Sequence, residues 1–252
     1  MQVNDTFWPL VTVVMPAYNA EKYIKQAIDS VLVQGIDTEL IIIDDQSMDH
    51  TAEAVMPYVD GSTVIYVKNA TNMGAAKSRN VAISMAKGAF IAFLDADDWW
   101  DVGKLEKQLA CLNKNEGVLC CTGRELRKED GTSMGKVIRV PQVITYKMML
   151  KTNCIPFSSA LIKTEVVREF YMSHAELHED YLLWLQVLNK YPCAYGIDEP
   201  MLKSRLSQGG KSRNKYKSAQ MHFGVYRVVG YGYVKSIYYF IHYMVNGILK
   251  YR

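Results

Sequence analysis

Three carboxylates fall in the run Phe93-Leu-Asp-Ala-Asp-Asp98, directly after an apolar stretch. Asp95 and Asp97 have the spacing that sets two carboxylates beside one bound ion. Hard oxygen ligands of this kind select Mg²⁺ or Mn²⁺, and such a cation offsets the charge that develops on a diphosphate leaving group. An acidic turn capping the next helix would account for this pair taken alone. A second pair, Asp44-Asp45, ends another apolar run, Glu39-Leu-Ile-Ile-Ile43. Two acidic pairs at the ends of different strands point to a site.

Two further constellations join them. In Asn72-Met-Gly-Ala-Ala-Lys-Ser-Arg-Asn80, Gly74 opens a helix and Lys77 and Arg79 stand in its first turns. Cations are disfavoured there by the helix dipole, so they suggest an anionic partner such as phosphate; solvation of an exposed face is the plainer account. His178-Glu-Asp180 begins a strongly amphipathic segment. It reads either as an acidic first helical turn or as the source of a general base.

The elements that must position these groups alternate. Leu10–Met15, Glu39–Ile43, Ser62–Val67 and Ala89–Leu94 read as buried strands. Helical spacing follows each of the first three, over 20–33, from about 49 to 58, and over 74–87. Such alternation implies an α/β fold with a mostly parallel sheet covered by helices on both faces. Right-handed crossovers then align the carboxyl ends of the strands on one rim, where ligands of open α/β sheets bind. Pro16-Ala17-Tyr18, Asp44-Asp45 and Asp95 fall on that rim. Further along, 104–112 and 178–190 are expected as helices and 117–122 and 158–162 as strands, with a hairpin arm over 131–141. A Gly-rich loop is expected over 207–214, then one or two helices over 216–251.

Val13-Val-Met-Pro-Ala-Tyr-Asn-Ala20, Leu40-Ile-Ile-Ile-Asp-Asp-Gln-Ser47, Asn72-x-Gly-x-x-x-x-Arg-Asn80, Phe93-Leu-Asp-Ala-Asp-Asp98 and His178-Glu-Asp-Tyr-Leu-Leu-Trp-Leu185 occur in order. Together they resemble the family 2 inverting glycosyltransferases, closely over roughly the first 100 residues. The resemblance implies a Rossmann-like GT-A nucleotide-diphospho-sugar fold, a UDP-sugar donor and Mn²⁺ or Mg²⁺. It implies that Pro16, Ala17 and Tyr18 line a nucleoside pocket, that Asp45, paired with Asp44, meets the base, and that Arg79 sits near the nucleotide. Asp95 would hold the ribose or the ion, Asp97 the metal, and Asp180 would be the general base. Inversion requires a carboxylate opposite the leaving group, the geometry by which inverting hydrolases activate water. Glu179, Trp184 and Trp99 are candidates for the acceptor side, although a Trp on an amphipathic helix is more often core. Relatives often carry a Tyr-Arg pair followed by His and Ser after the last core strand. The corresponding Lys203-Ser-Arg-Leu-Ser-Gln-Gly-Gly-Lys-Ser212 lacks the His, and leaves Arg205 and Lys211 to clamp the diphosphate.

Charge is unevenly distributed along the 252 residues. Residues 201–252 hold ten Lys or Arg, eight of the seventeen Tyr, and no Asp or Glu, whereas the first 200 carry nineteen basic residues against 26 acidic. A catalytic domain over 1–213 (nucleotide-binding over 1–100, acceptor-binding over 101–213) and a basic, aromatic helical tail over 214–252 are expected. The tail lacks the uncharged length of a membrane span. It fits an interfacial helix on an anionic leaflet, or a helix packed on the domain or on a second subunit. No nucleic-acid recognition motif accompanies it. With no basic n-region and no disulfide spacing among five cysteines, a cytoplasmic enzyme peripheral to the membrane is expected. A lipid-linked saccharide, as in O-antigen or capsule assembly, is the acceptor by analogy with short bacterial relatives. The donor is read as UDP-glucose or UDP-galactose and the acceptor sugar as GlcNAc or GalNAc.

Four other readings compete. A non-catalytic nucleotide-sugar-binding scaffold would have no reason to keep Asp95, Asp97 and Asp180. A Rossmann oxidoreductase would need Gly-x-Gly-x-x-Gly after the first strand. A sugar-phosphate nucleotidyltransferase would need a basic Gly-rich loop where Pro16-Ala17-Tyr18-Asn19 stands. A processive synthase would need a transmembrane bundle.

Overall fold

A computed structural model of the chain describes residues 10–174, 176–206 and 215–250. Among them ten strands form one sheet: β1 (Val11–Ala17), β2 (Thr38–Asp44), β3 (Val64–Lys68), β4 (Phe90–Phe93), β5 (Trp99–Trp100), β6 (Leu119–Arg127), β7 (Ser133–Ile138), β8 (Val143–Ile144), β9 (Leu161–Lys163) and β10 (Ala194–Arg205). The helices are α1 (Ile24–Leu32), α2 (Thr51–Val55), α3 (Ala75–Met85), α4 (Lys104–Asn115), α5 (Tyr146–Met149), α6 (Thr164–Val167), α7 (Glu179–Lys190), α8 (Lys215–Val228) and α9 (Tyr233–Lys250).

Strand order is β3-β2-β1-β4-β9-β6-β10-β5, with β7 on β6 and β8 on β10. The parallel expectation holds for β3, β2, β1 and β4. Beyond them the sheet is mixed, because β9 runs antiparallel to both β4 and β6. Chain order reverses on either side of β1, so a crevice opens at the strand ends there.

Period-two alternation builds two cores, one on each face. Val14, Ile41, Ile43 and Phe93 face one side, against residues of α3 and α7. Val13, Met15, Leu40 and Ile42 face the other, against α1 and α4. Both faces are covered, which is why these strands read as unbroken apolar runs. Gly88 lets β1 and the α3–β4 turn approach closely, since a Cβ there would stand 2.5 Å from the Thr12 nitrogen.

β10 is the element that the sequence concealed. Asp198-Glu199-Pro200 interrupts its apolar pattern, and its pairing with β6 shifts register between Ile197 and Leu202, the signature of a bulge.

Lys104 is fully buried at the start of α4. Its ammonium donates to Gln108 Oε1 at 2.7 Å and lies 3.9 Å from the centre of the Trp100 ring. Burial lowers its pKa from 10.5 to about 7. A base with a depressed folded pKa binds fewer protons folded than unfolded between those values, so folding is favoured as pH rises from 7 towards 10. Lys104→Met should lose that gain. Urea titrations at pH 7 and pH 10 should show the wild type gaining roughly 2 to 4 kcal/mol relative to the variant. Parallel pH responses would mean that Lys104 stays charged when folded.

Candidate active site

Each side of the crevice is built by a strand end. β1 delivers Pro16 and Ala17, and Tyr18 follows with its ring half exposed. Asp45 follows β2 and is held to β1 by its amide, which donates to Ala17 O at 2.8 Å. Its carboxylate accepts from Met73 N at 2.8 Å, Gly74 N at 2.7 Å and Asn69 Nδ2 at 2.9 Å. Burial opposes its charge, but these hydrogen bonds hold its pKa below the usual carboxylate value. Gly74, at φ +84°, is the residue that turns the chain into α3. With Ser78 also donating to it, Asp45 secures the start of α3 while it lines the cleft.

Arg79, one turn into α3, is buried. Its Nη2 lies 2.6 Å from Asp95 Oδ1 and its Nη1 lies 3.5 Å from Glu179 Oε1, with the guanidinium 4.3 Å from the centre of the Phe157 ring. Burial opposes its charge, while Asp95 and then Glu179 raise its pKa above the ordinary value. The anionic partner suggested by the motif is thus supplied in part by the protein itself. Lys77 lies on the exposed side of the helix.

Past β4 the chain turns sharply. Asp95 is partly exposed, and Asp97 lines the same space. Asp98 is buried and accepts from Arg205 N at 2.9 Å. Burial, with the charges of Asp97 and Asp95, pushes its pKa well above the ordinary value. Only the first two carboxylates therefore reach the crevice. Among the described residues no three His, Cys, Asp or Glu converge as a ready metal cage. The pair fits a cation that takes the rest of its shell from phosphate oxygens and water, the usual mode for Mg²⁺.

Glu179 and Asp180 open α7. Glu179 is buried and faces the crevice, while Asp180 stands one residue on and is half-buried outside that lining. Burial and the neighbouring Glu179 raise the pKa of Asp180 despite opposing contributions from His178 and Arg79. A carboxylate made more basic in this way is better suited to removing a proton.

These pieces enclose a cleft of 670 Å³ lined by Pro16, Ala17, Tyr18, Asp45, Arg79, Asp95, Asp97 and Glu179 among others. Other candidates stand elsewhere. Asp44 is fully buried and accepts from Ser47 N at 2.7 Å and from the Tyr66 hydroxyl at 2.5 Å. Its carboxylate braces the turn after β2 and does not face the ligand space, which corrects the expectation that both members of the pair meet the nucleotide. Trp184 is 0% exposed and packs at 5.5 Å from Phe157 and 6.1 Å from Phe93. It is core, with no face open to a sugar. Trp99 lies beside the guanidiniums of Arg205 and Arg127, at 4.9 Å and 5.7 Å, outside the cleft. Lys211 lies outside the described residues.

Arg205, expected as a phosphate clamp, is engaged by the protein. Its Nε donates to Asp97 O at 3.0 Å, its Nη1 to Glu129 O at 2.6 Å and its Nη2 to Gln26 Oε1 at 2.9 Å. Its guanidinium also lies 4.4 Å from the centre of the Tyr23 ring. It ties the Asp97 turn to α1 and to the β6–β7 turn. Two cleft residues that sequence reasoning did not name sit in this network: the Tyr23 hydroxyl donates to Glu129 Oε1 at 3.0 Å. Tyr23 reads as one more apolar helix position and Glu129 as a solvated turn, so only the pairing of β6 with β10 and β7 brings them to the site.

Similarity to known proteins gives the family and the fold. The sequence model described as Glycosyl transferase family 2 matches residues 12–170. The chain is 36% identical over 251 residues to TuaG of Bacillus subtilis (strain 168), a glycosyltransferase named for teichuronic acid biosynthesis, with 97% of this chain and 99% of that one covered. It is also 36% identical over 244 residues to WfgD of Escherichia coli, covering 96% and 94%; that protein is named a UDP-Glc:alpha-D-GlcNAc-diphosphoundecaprenol beta-1,3-glucosyltransferase. In fold it is similar to Staphylococcus aureus TarS 1-349 solved in complex with UDP-GlcNAc, with a TM-score of 0.71 at 20% identity, over 87% of this chain and 65% of the solved one.

Proposed function

The chain belongs to glycosyl transferase family 2, and from that premise we propose that it moves glucose from UDP-glucose to a hydroxyl of GlcNAc carried on an undecaprenyl diphosphate. The observation that carries this reading is the convergence of Asp45, Arg79, Asp95, Asp97 and Glu179 on one cleft at the strand ends, with Asp180 beside it. Residues 1–100 would serve the donor and 101–213 the acceptor, with 214–252 as a tail.

In this mechanism the exposed Tyr18 ring and the Asp45 carboxylate hold the nucleoside. Arg79 acts through its neighbours, keeping Asp95 and Glu179 in register across the cleft. Asp97, with Asp95, would hold Mg²⁺ or Mn²⁺, which when bound offsets the charge developing on the diphosphate. The acceptor oxygen bonds to the anomeric carbon as the bond from that carbon to UDP breaks, and Asp180 takes the hydroxyl proton. Attack opposite the leaving group inverts the configuration. Arg205 keeps the Asp97 turn in place from behind and leaves phosphate contacts to other groups. A lipid-borne acceptor would put the enzyme at the inner face of the cytoplasmic membrane, attached peripherally through its tail. No helix among the described residues is long and apolar enough to cross a membrane.

The test is UDP release from UDP-glucose, UDP-galactose and UDP-GlcNAc, with Mn²⁺ or Mg²⁺, with and without a synthetic GlcNAc-diphospho-lipid. Release from UDP-glucose should rise with the acceptor. A rise with UDP-galactose alone would change the donor and keep the reaction. Release that never responds to the acceptor would overturn the proposal.

A further inference from the structure

α9 has two faces of opposite character. Tyr239, Phe240 and Tyr243 turn inward, while Ser236 is fully buried. The Tyr243 ring stacks on His222 of α8 with centroids 3.4 Å apart, and Tyr239 approaches Tyr226 and Tyr231 at 6.0 Å and 5.3 Å. His222 in turn stacks on Tyr181 of α7 at 4.5 Å, and Tyr181 follows Asp180 in the chain. The outer face is apolar as well. Val234 is 83% exposed, and Ile237, Tyr238, Ile241, Met244 and Val245 are each between 45% and 56% exposed. At 100° per residue these six fall within an arc of about 120°, a continuous stripe along the helix. A soluble surface rarely carries so contiguous an apolar patch without an occupant.

We propose that this stripe is the surface by which the enzyme lies on an anionic bilayer, with α9 parallel to the membrane plane. Charge selects this occupant over a second copy of the chain. The α8–α9 hairpin, residues 215–250, carries five Lys or Arg and no Asp or Glu, so two such hairpins face to face would bring like charges together with no carboxylate of their own to offset them. Anionic headgroups supply that offset, while the stripe enters the headgroup–acyl boundary. The inner face makes the attachment directional. The ring ladder from Tyr243 through His222 to Tyr181 couples the membrane-lying helix to the helix that bears Asp180. The base would thus stand at a fixed height above the leaflet from which a lipid-linked hydroxyl arrives. This purpose rests on the lipid-linked acceptor proposed above; binding of the stripe to a bilayer does not.

The experiment is sedimentation of the full chain with phosphatidylcholine vesicles, with and without phosphatidylglycerol, at low and high salt. Ile237→Asn combined with Ile241→Asn is the variant, since both side chains are exposed and support no core. The wild type should sediment with phosphatidylglycerol vesicles and be released by salt. The double variant should bind about tenfold more weakly or worse, while wild-type and variant proteins turn over a short-chain, water-soluble acceptor equally. Wild-type protein that stays in the supernatant, or a variant that partitions unchanged, would overturn the proposal. So would analytical ultracentrifugation showing a dimer that the variant dissociates. If neither protein turns over the soluble acceptor, the proposed reaction fails while vesicle binding still decides the surface.

Discussion

Asp180→Asn is expected to lower kcat by about two to four orders of magnitude, the range typical of a lost general base. Affinity for the nucleotide sugar should change little, because Asp180 stands outside the cleft lining. The pH profile is the sharper readout. Burial and Glu179 raise the pKa of Asp180, and a base must be deprotonated to act. Wild-type kcat should therefore fall on the acid side at a pH above the ordinary carboxylate range, and the variant should lose that limb. Stability should move in the opposite sense. A carboxyl whose folded pKa is raised binds more protons folded than unfolded as pH climbs through that window, so its ionisation opposes folding at neutral pH. Asparagine relieves this, and the variant should melt no lower than the wild type. Glu179→Gln is the control, because it breaks the contact with Arg79 and should weaken donor binding as well as turnover. A pH profile unchanged in Asp180→Asn, or a loss confined to donor affinity, would remove Asp180 as the base.

Asp97→Ala is expected to lower kcat by about two to three orders of magnitude, as removal of one preorganised electrostatic contact to a transition state does. A measurement independent of turnover separates a metal ligand from a general defect. UDP binding to the wild type, followed by calorimetry, should tighten on adding Mn²⁺ and lose that response in the variant. Asp98→Asn should preserve the metal response, because Asp98 is buried and its carboxylate accepts from the amide of Arg205. A Mn²⁺ response retained in Asp97→Ala would move the metal to Asp95 or abolish its role.

Much of the donor half was legible because its signals are local. β1, β2 and β4 are short apolar runs broken by Pro or Asp, β3 is one ended by Lys68-Asn69, and the parallel order of those four strands follows from their alternation with helices. Side-chain direction was not legible. Asp44 and Asp45 are adjacent, yet one accepts from Tyr66 inside the fold and the other caps α3 beside the cleft. Alternation along a strand sends neighbours to opposite sides, and sequence adjacency hides it. Trp184 was ambiguous for a related reason, since aromatic residues on a helix bury or stack according to what faces them, and here Phe157 and Phe93 do. Tyr23, Glu129 and Arg205 meet through contacts spanning more than 70 residues, which no local periodicity encodes.

The bracket that Arg205 forms has a consequence for how the enzyme is made. The turn bearing Asp97 lies among the first 100 residues, yet Asp98 accepts from the amide of residue 205 and Asp97 O from its guanidinium. On the ribosome the donor half emerges first, and its four parallel strands can pair as they appear. β10 must still come out and insert between β6 and β5 before the acidic turn is fastened. A nascent chain released short of that strand would hold most of the nucleotide pocket and an unsecured metal-binding turn. Competence is thus conferred late, by the last strand among the described residues to be synthesised.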